Sequence, residues 1–165
     1  SAFDAEVVYY DPYVDKSPWK KMSLEALFKS SDAVCVCCAL TRETDGLIGF
    51  PLLSQLKEGA SLVNTSRGEI IVETDLVTLL GERPDISVAL DVLPGESQNL
   101  HRSSELIEFH KRGQIVVTPH VAGATQESQS KAARCALSLL ERHMSEDSSG
   151  SSLEIGERVR LRKNL

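Results

Sequence analysis

No stretch of the 165-residue chain approaches the roughly 20 consecutive apolar residues of a membrane-spanning helix. No signal-peptide pattern is visible from Ser1 onward. Basic charge is not in excess either: 18 Lys and Arg against 24 Asp and Glu leave a formal net charge of -6. Nonspecific attraction to nucleic acid or to an anionic membrane is therefore not expected. Cysteine is scarce, with only Cys35, Cys37, Cys38 and Cys135. Cys35 and Cys37 would share one face of a strand, which is too few ligands for a zinc site, so no metal is expected. The four are read as small buried hydrophobes in a reducing compartment, which places the protein in the cytoplasm. There is no internal repeat.

What is present fits a globular domain with a sizeable core, since 41% of residues are hydrophobic and 25% charged. Five short runs rich in Val, Ile, Leu and Cys read as strands: Glu6 to Tyr10, Ala33 to Cys38, Ser61 to Asn64, Ile86 to Leu90 and Gln114 to Thr118. Helical stretches alternate with them over Ser23 to Lys29, Pro51 to Lys57, Glu73 to Gly81, Ser103 to Lys111 and Gln126 to His143. Leu24, Leu27 and Phe28 share one helix face, as do Leu76, Leu79 and Leu80. Ser23 suits an N-cap, and Gly59 follows a helix end. The alternation predicts an α/β fold, a doubly wound parallel sheet whose strands are buried on both faces. This domain is expected over residues 1–144. Residues 145–165 read as a Ser-rich linker and a disordered basic tail.

Ligands of open parallel sheets bind outside the carboxyl ends of the strands. The polar residues gather there: Asp11 after the first run, Thr65-Ser66-Arg67-Gly68 after the third, Asp91 after the fourth and Pro119-His120 after the fifth. Singly, each has a simpler explanation, because Asp commonly starts a turn. Together they suggest one site. Arg67 offers a planar fork of donors for a carboxylate. His120 can exchange a proton near neutral pH. Glu96 is close enough in sequence to the Asp91 strand end to favour the charged imidazole.

Longer segments then carry a resemblance. Leu62-Val63-Asn64-Thr65-Ser66-Arg67-Gly68-Glu69, Ala89-Leu90-Asp91-Val92-Leu93-Pro94-Gly95-Glu96 and Thr118-Pro119-His120-Val121-Ala122-Gly123 resemble the active-site arginine, glutamate and histidine segments of the D-isomer-specific 2-hydroxyacid dehydrogenases. Ser31-Asp32 through Leu40-Thr41, with Glu43-Thr44, resembles the stretch along the cofactor. Tyr10-Asp11-Pro12 resembles the end of the second strand, whose acid holds the adenosine ribose. The matches run in family order from about Ala2 to Leu139. The resemblance implies a Rossmann-type NAD-binding domain, hydride transfer between NAD and a small 2-hydroxy or 2-keto acid, and a homodimer formed through the cofactor domain. It implies Arg67, Glu96 and His120 as the catalytic set, with Asp11, Pro12, Cys38, Thr65, Ser66, Arg67, Asp91, His120 and Gly123 along the cofactor.

There are departures. Relatives usually have His and Pro where this chain has Cys37 and Ala39, Pro where it has Ser97, and a helix-capping Asp where it has Val72. The family's first strand and Gly-rich pyrophosphate turn, and the substrate domain before them, have no counterpart in the sequence. Their absence is expected to leave the Glu6 to Tyr10 strand without its inner neighbour, to open an edge on Ser61 to Asn64, and to make this stretch inactive as a fragment. The alternative function is a non-catalytic NAD(H)-sensing or protein-interaction module on the same scaffold.

Overall fold

A computed structural model describes residues 4–96 and 104–147, with side chains through Met144. Expectations for Ser97, Ser103 and residues 148–165 lie outside the described residues. The chain divides into two compact units, one ending at Ala122 and the other beginning at Gly123.

In the first unit, β1 (Val8–Tyr9) pairs in parallel with β2 (Lys20–Lys21). Then follow α1 (Leu24–Ser30), β3 (Ala33–Val36), α2 (Phe50–Leu53), β4 (Ser61–Asn64), a 3-10 turn (Gly68–Ile70), α3 (Glu73–Glu82), β5 (Ser87–Leu90), α4 (Glu105–Lys111) and β6 (Ile115–Val117). A four-stranded sheet runs in the order β3-β4-β5-β6, every pairing parallel. Parallel neighbours need crossovers, and α2, α3 and α4 lie in those crossovers. The result is a Rossmann-type α/β fold.

Period-two alternation decides which side of each strand builds the core. Val34, Leu62, Val88 and Ile115 stand side by side in the register, all buried, and Val36 and Leu90 extend the same face. Phe28, Leu52, Leu53, Leu76, Leu79 and Leu106 from the four helices pack into one cluster with them. Each such side chain contributes about 1.5–3 kcal/mol relative to exposure. The opposite face carries Ala33, Cys35, Ser87 and Val116, all exposed. This corrects two expectations. The strands are not buried on both faces within this unit, and all four cysteines are exposed. Alternation puts Cys35 on the face away from the core, while Cys37 and Cys38 lie past the end of β3.

β2 was not anticipated, because two exposed lysines carry no apolar period. It supplies β1 with a neighbour. The sheet order also moves the open edge. β4 lies between β3 and β5, so the edge belongs to Ala33–Val36 and not to Ser61–Asn64.

Local signals act as their chemistry suggests. Ser23 caps α1 by accepting from Ala26 N at 3.2 Å. Val72 precedes α3 with no side-chain cap, and Glu73 and Asp75 in the first turn favour the positive end of the helix. Asp75 Oδ2 also accepts from Phe50 N at 2.8 Å, tying α3 to α2. Gly59 takes φ +72, the left-handed conformation that glycine enters without strain. The second unit contains α5 (Gln126–Asp147), preceded by Thr125, whose Oγ1 accepts from Ser128 N at 3.1 Å. The helix continues past Met144, where the linker was expected to begin. Among the described residues no helix is long and apolar enough to cross a membrane.

Candidate active site

The loops at the carboxyl ends of the strands are tied each to the next. Asn64, the last residue of β4 and buried, governs the arginine loop. Its Nδ2 donates to Arg67 O at 2.9 Å and its Oδ1 accepts from Ser66 N at 3.0 Å. A buried amide with both ends engaged fixes a turn at little cost, whereas an unmatched one is expensive. Ser66 Oγ donates to Cys38 O, joining the β4 loop to the β3 loop. Desolvation by neighbouring atoms raises the Cys37 and Cys38 thiols, so neither is primed as a nucleophile. Arg67 lies exposed at the cleft, with Nη1 donating to Ser66 O at 2.6 Å.

The next link joins the arginine loop to the glutamate loop. A Cβ on Gly68 would lie 2.1 Å from Leu93 C and 2.2 Å from Pro94 N, so only glycine allows the approach. Glu69 Oε1 accepts from Gly95 N at 3.1 Å. Glu96 Oε1 accepts from Leu93 N at 2.7 Å, and its Oε2 lies 2.6 Å from His120 Nδ1. A carboxylate only accepts, so Nδ1 carries the hydrogen and Nε2 is the nitrogen left for proton exchange.

Asp91 secures the histidine loop. Its side chain is buried and accepts from Thr118 Oγ1, from Val121 N at 3.0 Å and from Ala122 N at 2.9 Å. Burial pulls this carboxyl up, but those hydrogen bonds and the nearby His120 outweigh it and hold the group below the usual range. The pinned loop holds His120 at φ +54, a backbone conformation that non-glycine residues enter only under constraint.

Arg67, Glu96 and His120 thus line one open cleft, with Leu40, Gly68, Glu69 and Leu93. The structure brings together the three residues that the sequence set apart as a group. The sequence did not single out Asn64 or Glu69, and it placed Asp91 beside the cofactor without its role in holding the histidine loop. Asn64 and Asp91 do carry a signal, a polar residue where strand meets loop, which simple turn chemistry also explains, whereas Glu69 lies within the 3-10 turn and carries none. Gly123 opens the second unit.

Asp11 follows β1, half-buried, and Oδ1 accepts from Tyr13 N at 2.8 Å. Oδ2 has no hydrogen bond within the described structure. Pro12 beside it is exposed. Tyr13 Oη reaches Glu43 Oε2 at 2.8 Å, and that hydrogen bond together with the Glu43 charge raises the phenol. Asp11 is near enough to Cys38, past the end of β3, for its charge to help raise that thiol, and a carboxylate with a spare oxygen there suits the hydroxyls of a dinucleotide ribose.

The family model of the D-isomer specific 2-hydroxyacid dehydrogenase NAD binding domain matches residues 1–122. The chain belongs to that family. YoaD of Bacillus subtilis (strain 168), named as a 2-hydroxyacid dehydrogenase, is 39% identical over 129 residues, which are 77% of this chain and 36% of that protein. A hydroxypyruvate reductase of Blautia hydrogenotrophica is 29% identical over 140 residues, 85% of this chain and 41% of its own. The chain therefore spans well under two thirds of these relatives. Among solved structures, the NAD-complexed D-isomer specific 2-hydroxyacid dehydrogenase of Lactobacillus delbrueckii ssp. bulgaricus superposes with a TM-score of 0.72 at 27% identity, covering 83% of this chain and 46% of that one. The NAD+-bound 3-phosphoglycerate dehydrogenase of Entamoeba histolytica gives 0.66 at 30% identity, covering 79% and 41%. The cofactor of this family domain is NAD.

Proposed function

We propose that the whole protein is an NAD-dependent oxidoreductase acting on the CH–OH group of a D-2-hydroxy acid, and that this chain supplies its cofactor domain and catalytic residues. The observation that carries the reading is the Glu96–His120 contact at 2.6 Å beside Arg67 in one cleft. When bound, the nicotinamide supplies or accepts the hydride. Arg67 holds the substrate carboxylate in its donor fork and polarises the neighbouring keto oxygen. In reduction, His120 Nε2 gives its proton to that oxygen, and in oxidation it takes the proton back. Glu96 keeps the imidazole in one tautomer and orientation. Thr65, Ser66 and Cys38 would offer backbone along the cofactor, and Asp91 would hold the histidine loop at its nicotinamide end. The test is consumption of NADH by the whole protein with a panel of small 2-keto acids. Binding of NADH with no consumption on any of them would favour a sensing module instead.

Asp11 Oδ2 and Pro12 would meet the adenosine ribose. A carboxylate there accepts from both hydroxyls of NAD and repels the additional phosphate of NADP. Comparison of kcat/KM with the two reduced cofactors is expected to favour NADH. Equal or better efficiency with NADPH would remove Asp11 from this role.

The 165 residues by themselves are not proposed to turn over substrate, because no Gly-rich pyrophosphate turn occurs in their sequence. The whole protein is proposed to work in the cytoplasm as a homodimer paired through its cofactor domains. Sedimentation as a monomer at micromolar concentration would reject that pairing.

A further inference from the structure

Glu69 takes no part in the chemistry just described, yet it touches the loop that carries Glu96. Its backbone is firmly held. Gly46 N donates to Glu69 O at 2.9 Å, and the adjacent Gly68 lies against the Leu93–Pro94 backbone. Its side chain is half-buried and accepts from Gly95 N at 3.1 Å. Gly95 stands at φ +73, so the turn there is sharp, and the next residue is Glu96. Glu96 must meet two donors at once, Leu93 N at 2.7 Å and His120 Nδ1 at 2.6 Å. A small rotation of the Pro94–Gly95 peptide, which sets the direction in which the chain enters Glu96, would lose one of them. A charged acceptor on Gly95 N is the restraint against that rotation.

We propose that Glu69 is a positioning residue for the acid–base pair: by anchoring Gly95 N, it sets the turn from which Glu96 reaches His120. The proposal deepens the dehydrogenase reading and rests on it for the role of His120. Among the described residues, the charged groups around His120 are Glu96 in direct contact, Asp91 through the histidine loop, and Arg67 and Glu69 on the cleft wall. Glu69 could therefore act on His120 through its charge alone, and the test must separate charge from anchoring.

Glu69→Gln removes the charge and keeps an acceptor oxygen. Glu69→Asp keeps the charge and withdraws the acceptor by one methylene. Glu69→Ala removes both. Two readouts apply. One is the imidazole titration of His120 by NMR in the chain, and the other is the pH profile of kcat and KM in the whole protein. Anchoring predicts that Glu69→Asp and Glu69→Ala move the His120 titration to lower pH, because a displaced Glu96 favours the imidazolium less. Both should lower kcat about ten- to hundredfold, the scale of a small misplacement of a catalytic group, with KM nearly unchanged. Glu69→Gln should stay close to the parent in both. Equal shifts in Glu69→Gln and Glu69→Ala, with Glu69→Asp at the parent value, would show charge alone and overturn the proposal, as would three unchanged titrations. Should Glu69→Ala fail to fold, Glu69→Asp against Glu69→Gln still decides. The NMR readout stands even if the whole protein reduces no keto acid, so failure of the positioning role and failure of the dehydrogenase reading are separable.

Discussion

In the whole protein, His120→Ala is expected to lower kcat by about 10²–10⁴-fold, the usual contribution of a positioned general acid–base group. The magnitude follows from how completely the ring is placed. Asp91 takes hydrogen bonds from Thr118, Val121 and Ala122 on both sides of His120, so the backbone has little freedom there. Glu96 at 2.6 Å then fixes Nδ1 and leaves Nε2 to move the proton. Alanine deletes that proton carrier, while the loop keeps its Asp91 anchors. NADH affinity, read by fluorescence titration, should therefore stay within a few-fold of the parent, since no cofactor contact is assigned to the imidazole beyond the reacting end. A loss confined to NADH binding, with kcat preserved at saturation, would assign His120 to cofactor binding and not to proton transfer.

The second large effect is on stability. Gly68→Ala would put a methyl group 2.1 Å from Leu93 C, 2.2 Å from Pro94 N and 2.5 Å from Leu93 O. All three are backbone atoms, so no rotamer change relieves the clash. The 3-10 turn cannot easily retreat, because Ile71 N donates to Gly68 O at 3.1 Å and Gly46 N donates to Glu69 O at 2.9 Å. Nor can the opposing segment, with Leu93 N on Glu96 and Gly95 N on Glu69. Forced separation of packed backbone should cost on the order of 3 kcal/mol, at the upper end for overpacking. For a chain of this size that is a fall in Tm of roughly 6–12 °C. The displaced loops carry Arg67 and Glu96, so activity should fall with stability. A melt within a degree of the parent would mean that the two loops are not packed as described.

Much of this organisation was legible in the sequence. The runs that form β3 to β6 are Val- and Leu-rich, and the chain alternates between them and helices, so the parallel sheet followed from pattern alone. The gathering of Arg67, Glu96 and His120 in one cleft was legible because each follows a parallel strand, at the end of the sheet where ligands bind. The strand β2 was not, since Lys20 and Lys21 pair through backbone and carry no apolar signature. Cys35 looked like core because its run is apolar, but one residue of register decides the face, and it fell on the exposed one. The roles of Glu69 and Asp91 in joining one loop to the next depend on contacts between segments separated by up to 31 positions, as with Ala122 N on Asp91. Such pairings arise from the sheet order and leave no local mark.

The central claim is that the cleft formed by Arg67, Glu96 and His120 directs hydride transfer to a 2-keto acid bound with its carboxylate on Arg67. The most direct measurement is chiral analysis of the product formed by the whole protein from NADH and a small 2-keto acid. The account predicts one D-2-hydroxy acid molecule for each NADH consumed. Formation of the L-acid, or saturable NADH binding with no product from any 2-keto acid, would contradict it.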